Sequence, residues 1–558
     1  MTVAAVVLVL LGLGGWLGSK VLTVQTELTA AQSLVGGLAE GDAKQALITV
    51  AGHAERAVAA TADPLWGAAE LLPWAGENLR AVRLASESLD ALAGGLGVPA
   101  LKALQSPSDD PMLVRLLPVL QASQARVAEL NTEVRQIRES PALVSQVQSG
   151  IDQVAEVLAL ADPVLQVVPG MLGGEGERNY LLVAQSNAET LALGGSAASQ
   201  SLLRVADGRI KIVKQADSQQ YQWGVPADVE IDQSAIDLYN EYLINNVNTS
   251  VGRPDWPTAA RTIMALWKRD IDPAPVDGVI SIDPLALARI MHATGPVTVD
   301  GHELNSENVV SFLLSEAYVL YDGSSEADEI FKQVALAVMD SLVGGDFDPA
   351  ALLSAIRASI DAGSLMFYST DPEIQQMISG WRLAGILPTS NLPTTTIGVY
   401  FRDASLGSKI DYYLETEATV TSACPAPGGE VTYDVDVTVW LDLSKKQAQG
   451  LPRYVTGGPL ETKTFRTQVF IYGPPGTEVT EERRPKSKDE AWKWRPLDMM
   501  DLGRPVPSFM TINPLGGKKV TVGVTFTGQP GEFGPLEVRT TPMVRPTRVT
   551  LDDACIPR

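Results

Sequence analysis

Residues 3–18 read VAAVVLVLLGLGGWLG and hold no charged side chain; Lys20 is the first charge, and VLTV follows it. A helix needs roughly 20 apolar residues to cross a bilayer, and the run from Met1 to Val24 has that length. The competing reading is a cleaved signal peptide, which wants a basic n-region before the apolar run and a small-residue cleavage site after it. No basic residue precedes the run, and the helical pattern continues into QTELTAAQSL, so an uncleaved anchor is expected. Everything after residue 24 is then expected to stand on a membrane.

Which side it stands on is read from the cysteines, because the amino end has no Lys or Arg for the positive-inside rule. The chain has two, Cys424 and Cys555, and three histidines, His53, His292 and His302. No CxxC pair occurs, so a closed four-ligand zinc site is not offered. A single Cys424–Cys555 disulfide in an oxidising compartment is expected, with two buried thiols as the other reading. That places the amino end inside and the bulk outside the cytoplasm.

The chain is 558 residues with a net charge of −23. Nucleic-acid binding needs a stripe of Lys and Arg, and none is present. An apolar fraction of 45% is enough to bury several cores.

Residues 25–168 step at helical spacing: Val127, Leu130, Val134 and Ile137, then Val144, Val147, Ile151, Val154 and Leu158. The spacing approaches a coiled-coil seam, which permits self-association without requiring it. Ser140–Pro141 reads as a helix start and Asp162–Pro163 as its end. Pro64, Pro73, Pro99, Pro111 and Pro118 argue for a bundle of shorter helices rather than one rod. A glycine-rich boundary follows at 169–178, PGMLGGEGER. NYLLVAQ is a strand, and SQSLLRV-ADGR-IKIVKQ is a hairpin turning at Asp207–Gly208. VDGVISI reads as a buried strand, and Asp283–Pro284 opens a helix that closes at Gly295. Strands alternating with helices to about residue 390 indicate an α/β domain. From about 395, EVTYDVDVTVWLDL, TKTFRTQVFIYG and KKVTVGVTFTG alternate polar with apolar residues, as in an antiparallel β-sandwich.

The stretches GERNYLLVAQSNAETLALGGSAASQSLLRVADGRIKIV (176–213) and PVDGVISIDPLALARIMHATGPVTVDG (275–301) resemble a bacterial membrane-associated family known as domain of unknown function 4012. Asn187, Ala188, Glu189, Gly194 and Gly195 match its first motif, while Leu191 stands at the usual arginine and Leu193 at the usual threonine. The order of strands also resembles, distantly, the LytR-CpsA-Psr family, extracytoplasmic transferases that move glycopolymers from polyprenyl-pyrophosphate carriers to the cell wall. That resemblance implies arginines that neutralise phosphate oxygens and carboxylates that hold a divalent metal, Mg2+. Its first Arg-Asp position falls on Gly195–Ser199, which is uncharged, and its second falls on Lys214–Asp217, which keeps one aspartate.

The expected architecture is therefore multidomain α and β: a transmembrane anchor (1–24), a helical juxtamembrane bundle (25–168), a LytR-CpsA-Psr-like α/β domain (169–390) and a β-sandwich (395–558). The candidate pocket is Gln185, Asn187, Glu189, Gly194, Gly195 and Asp217. Asp270, Asp272 and Asp277 read as turn formers and Asp283 as a helix cap. No phosphate-binding loop or nucleophile elbow occurs. The functional expectation is a non-catalytic envelope protein that contacts the bilayer through its first helix and binds or positions a cell-wall glycan or an envelope protein. The alternative is a divergent glycopolymer transferase that uses Mg2+.

Overall fold

A computed structural model of the chain describes residues 20–31, 43–73, 75–105, 108, 110–321, 324–344, 347–405, 407–423, 430–529 and 533–553. It is a mixed α/β, multidomain structure with several sheets. The expected span lies outside the described residues as far as position 19, and so do Cys424 and Cys555. The expected disulfide is accordingly not found, since the described residues contain none. The chain divides into two compact units: Met1–Arg178 with Val205–Ile210 and Val343–Gly345, and Asn179–Arg204 with Lys211–Leu342 and Asp346–Arg558.

The first unit is helical: α1 (20–31), α2 (Ala43–Thr61), α3 (Pro64–Ala69), α4 (Gly76–Asp90), α5 (Val98–Gln105), α6 (Met112–Arg138) and α7 (Ser145–Met171). The residues at helical spacing make its core, with Val127, Leu130, Val134 and Ile137 of α6 against Ile151, Ala155 and Leu158 of α7 and Ala81 and Leu84 of α4. Two boundary expectations fail. Helix α7 starts at Ser145, because Ser140 instead turns the chain, accepting from Ala142 N at 3.1 Å and donating to Glu77. It also runs through Pro163 and Pro169. A proline costs a helix about 3 kcal/mol, and Leu165, buried in the core between the two prolines, offsets part of that cost. By length and composition α7 is also the one described helix that could cross a membrane. Its buried face belongs to the bundle core, and the same composition serves a core helix.

The second unit starts with a five-stranded sheet in the order β3-β2-β1-β4-β7. The strands are β1 (Arg178–Leu191), β2 (Gly194–Ala206), β3 (Arg209–Asp217), β4 (Gly278–Ile282) and β7 (Leu365–Ser369). Strand β4 runs parallel to β1, with Leu182 beside Ile280, and antiparallel to β7. The β2–β3 turn is Asp207–Gly208, with φ of 48° and 75°. Both residues are left-handed, the geometry that matches the twist of a tight hairpin. Asp283 caps helix Pro284–Thr294 by accepting from Ala286 N at 2.9 Å, and Gly295 closes that helix at φ 82°. Strands β5 (Val297–Val299) and β6 (His302–Leu304) form a small ribbon.

Ten more strands build two further five-stranded sheets. One is β12 (Thr477–Arg483), β17 (Val520–Gly528), β10 (Val431–Leu441), β9 (Leu414–Ala423) and β19 (Arg548–Asp553). The other is β13 (Ala491–Lys493), β16 (Ser508–Ile512), β11 (Arg466–Tyr472), β8 (Thr395–Asp403) and β18 (Leu536–Thr540). Alternate residues of both point into one shared core: Val435, Val437 and Val439 of β10, Val522 and Val524 of β17, and Ile397, Val399 and Phe401 of β8. A short ribbon, β14 (Met500–Asp501) with β15 (Arg504–Pro505), lies between β13 and β16 in sequence. Strand β19 runs parallel to β9, and that pairing is described as far as Asp553 opposite Ser422, two residues before each cysteine.

Candidate functional site

Strand β1 alternates inward and outward residues until Gln185, after which both faces are buried. A strand buried on both sides must pair every polar side chain it carries. Gln185, 1% exposed, does so twice: its Nε2 donates to Ser281 Oγ of β4 at 2.7 Å, and its Oε1 accepts from Gly195 N at 3.0 Å. Asn187 Nδ2 donates to Asp283 Oδ2 and to Pro542 O, each at 3.1 Å, while the buried Asn187 Oδ1 and Thr190 Oγ1 are left without a partner among the described residues. Asp283 is 3% exposed, and burial pushes its carboxyl above the usual carboxylate range despite these donors. Glu189 pairs with Lys409, whose ammonium also lies 5.3 Å from the Tyr318 ring centre. Thr190 N donates to Asp411 Oδ2 at 3.1 Å.

The two glycines are explained by crowding. A Cβ on Gly195 would lie 1.9 Å from Ser186 O of the neighbouring strand. A Cβ on Gly194, at φ 131°, would lie 2.5 Å from Gln185 Oε1. Gly195→Ala is therefore expected to force β1 and β2 apart and to lower stability by about 3 kcal/mol or more, the range of overpacking with a broken strand contact. The check is the urea midpoint of the purified variant; an unchanged midpoint would mean the strands do not approach this closely.

Five of the six sequence-derived residues thus come together, on the β1–β2 turn and its flanks. Asp217 does not join them. Its carboxylate accepts from Gln219 N at 2.9 Å and caps the short turn Ser218–Gln220. The sequence reading missed Lys409, Asp411 and Pro542, which come from the segments that follow β8 and β18 and carry no local motif.

Beside Gln185 lies a narrow cavity in two adjoining lobes of about 40 and 20 Å³. The larger is mostly apolar, with Leu182, Ile212, Leu287, Phe331 and Met339 in its wall. The smaller is bounded by Gln185, Ser186, Tyr318 and Lys409. Each water needs about 10–15 Å³ of such space, so the two lobes have room for only a few waters. Among the described residues the lining holds Lys332 and Lys409 and no arginine. No group of three or more metal-ligating side chains occurs among the described residues.

A second concavity is larger and open. It is a groove of about 680 Å³ between the segment Asp228–Asp232 and helix Trp256–Asp270, lined among others by Asp228, Glu230, Thr258, Arg261 and Met264. Arg261 donates to Thr258 Oγ1 at 2.9 Å. Asp232 is held by Arg253 at 2.8 Å. Arg269 of the same helix donates to Val225 O at 2.8 Å and Pro226 O at 3.1 Å, so the chain approaching the groove is clamped. Trp223, 71% exposed, precedes that clamp in the sequence and does not line the groove.

Residues 175–318 match the family model described as protein of unknown function (DUF4012), a range that spans β1 to β6 and the residues of the open groove. No curated protein matches the chain. Among solved structures, the Lin1025 protein from Listeria innocua aligns over 41% of this chain and 86% of its own at 13% identity, with a TM-score of 0.20, and carries no argument about the fold.

Proposed function

We propose that the chain is a membrane-anchored, extracytoplasmic envelope protein that binds or positions a glycan and does not turn over lipid-linked sugars. One observation carries the second half of this reading. Where the LytR-CpsA-Psr resemblance puts its first Arg-Asp pair, the chain has Gly195–Ser199, and the neighbouring polar side chains Gln185 and Asn187 are engaged with Ser281, Asp283 and Pro542. A pyrophosphate needs arginines arranged around it and a metal held by carboxylates. The adjoining cavity has room for a few waters, and its charged lining is Lys332, Lys409 and the single buried Asp283, with no arginine.

The open groove supports the first half. Its size is within the ~300–1,000 Å³ of small-ligand sites. Its carboxylates and Arg261 suit neighbouring hydroxyls of a sugar, which donate to one and accept from the other.

The test is titration of the full chain, in detergent micelles, with cell-wall glycan fragments and separately with a polyprenyl-pyrophosphate-linked sugar plus Mg2+. Glycan binding is expected to weaken about tenfold in Arg261→Ala and in Glu230→Gln, the ~1.4 kcal/mol of one good contact. Release of polyprenyl pyrophosphate, abolished in Asp217→Ala, would establish the transferase reading in its place.

A further inference from the structure

The helical unit exposes single large apolar side chains such as Ile48, Val157 and Leu160, and a group of them at one end. Leu71 is 84% exposed, Leu65 42% and Leu72 37%, all on the connection that runs from α2 through α3 to α4. On α1, Leu22 is 64% exposed and Val21 37%. A scattered exposed leucine needs no explanation, but a cluster on one end of a domain does.

The packing of α1 fixes which end this is. Val24 is fully buried in one cluster with Ala57 and Ala60 of α2 and Trp66 and Ala69 of α3. Further along, Glu27 accepts from Arg56 Nε at 3.0 Å and meets His53, and Ala31 packs with Val50. Rising numbers on α1 thus meet falling numbers on α2, so the two helices are antiparallel. The connection after Thr61 leaves α2 at the Lys20 end of α1. From Val24 to Lys20 is about 6 Å along a helix axis. The Leu65–Leu72 connection therefore lies at the Lys20 end of α1, the end at which the sequence joins the uncharged run 3–18.

Its charges are few and used. Asp63 caps α3 by accepting from Leu65 N at 3.0 Å, and Glu70 is paired with Arg83 at 2.8 Å. No Lys or Arg occurs from Ala57 to Leu79.

We propose that Leu65, Leu71 and Leu72 insert into the lipid bilayer beside the first helix, as a second, apolar membrane contact that sets the tilt of the helical unit. The inference rests on the anchor reading of residues 1–24. The occupant is lipid because the apolar run of this same chain is attached next to the connection through Val24. The contact is apolar rather than electrostatic, so it requires no anionic lipid.

The test is spin-label accessibility in the full chain reconstituted in phosphatidylcholine nanodiscs, with both cysteines replaced by serine and one new cysteine at a time. Labels go at Leu71, at Leu10 in the apolar run, and at Leu160 as an exposed control on α7 (63% exposed). The expected result is that Leu71 and Leu10 collide freely with oxygen and are shielded from a polar nickel chelate, while Leu160 shows the reverse. Leu10 in lipid with Leu71 open to the nickel chelate overturns the inference and leaves the anchor standing. Leu10 open to the chelate removes the anchor reading; Leu71 in lipid in that case still supports the contact, and Leu71 in water ends both. A Leu71 label shielded from both reagents means that a protein partner or a second copy covers the connection, which also overturns the proposal.

Discussion

Replacing Arg253 with methionine is expected to destabilise the second unit by about 3–5 kcal/mol, the cost of leaving buried carboxylates without their cation. The Arg253 side chain is 2% exposed and Asp501 is fully buried. Arg253 holds Asp501 in a two-pronged pair, Nε to Oδ2 at 3.0 Å and Nη2 to Oδ1 at 2.7 Å. It also reaches Asp255 at 2.9 Å. Asp501 accepts further from Ser234 Oγ at 2.9 Å and Tyr472 OH at 2.8 Å, and Tyr472 meets Tyr239 OH at 2.6 Å. The network joins the start of helix Trp256–Asp270 to β11 and β14. Methionine fills much of the volume, so the loss reads the charge rather than a cavity. Asp501→Asn is expected to cost less, because the amide keeps one acceptor oxygen and removes the charge that needs Arg253. In the double variant the two losses should fall short of their sum by about 1 kcal/mol or more, as for residues of one network. Urea unfolding followed by tryptophan fluorescence checks all three variants. An Arg253→Met midpoint within about 0.5 kcal/mol of the parent, the scatter of ordinary surface changes, would rule the network out as a support of the fold.

The contrast with what the sequence shows is instructive. Features set by neighbours in the chain were legible: the Asp207–Gly208 hairpin, the Asp283 cap with Gly295 at the far end of its helix, and the apolar seams of α6 and α7. Pro163 was misread because a local rule lost to burial of the same helix. The polar run from Gln185 to Gly195 looked like a ligand site because its partners are remote. Ser281 and Asp283 lie 96 positions away from Gln185 and Asn187, Asp411 lies 221 from Thr190, and Pro542 lies 355 from Asn187. No window of sequence contains both ends of such a bond. A buried polar strand and a ligand-binding strand therefore have the same composition until the fold brings the partners in. The groove beside Arg261 had the opposite problem, since exposed acids and one arginine on a very acidic chain look like ordinary surface.

Lowering the pH from 8 to about 5 is expected to stabilise the second unit, against the usual trend of carboxylates that are salt-bridged. Burial pushes Asp411 well above the ordinary carboxylate range, and the nearby Asp403 charge adds to the shift. Burial also lifts Asp403 to about 6, with Glu189 adding to it. Donors oppose these shifts without cancelling them: Thr190 N on Asp411 at 3.1 Å, and Ser405 N at 2.7 Å with Ser408 Oγ at 3.3 Å on Asp403. Of the cations near them, Lys409 is paired with Glu189, and burial pushes the Lys463 ammonium below its usual value. An unfolded aspartate titrates near ~3.9, so the folded protein holds these protons more tightly. The stabilisation is fully present below that value and is lost as pH rises through about 6 and beyond. At the acid end other groups reverse the slope. Asp270, held down by Arg269, Asp272, held down by Ala274 N, and Glu417, held down by Lys519, lose their contribution as pH falls through their depressed values. Asp411→Asn tests the origin of the effect, because its amide oxygen still accepts from Thr190 N while its charge is gone. The variant is expected to raise the melting temperature by several degrees at pH 8, for a gain on the order of 1–3 kcal/mol per buried charge removed. At pH 4 it should match the parent, whose Asp411 is then neutral as well. Thermal melts of both proteins from pH 4 to 8 decide it: a flat parent profile between 5 and 8, or a variant that melts lower at pH 8, would show that these carboxyls titrate as exposed ones do.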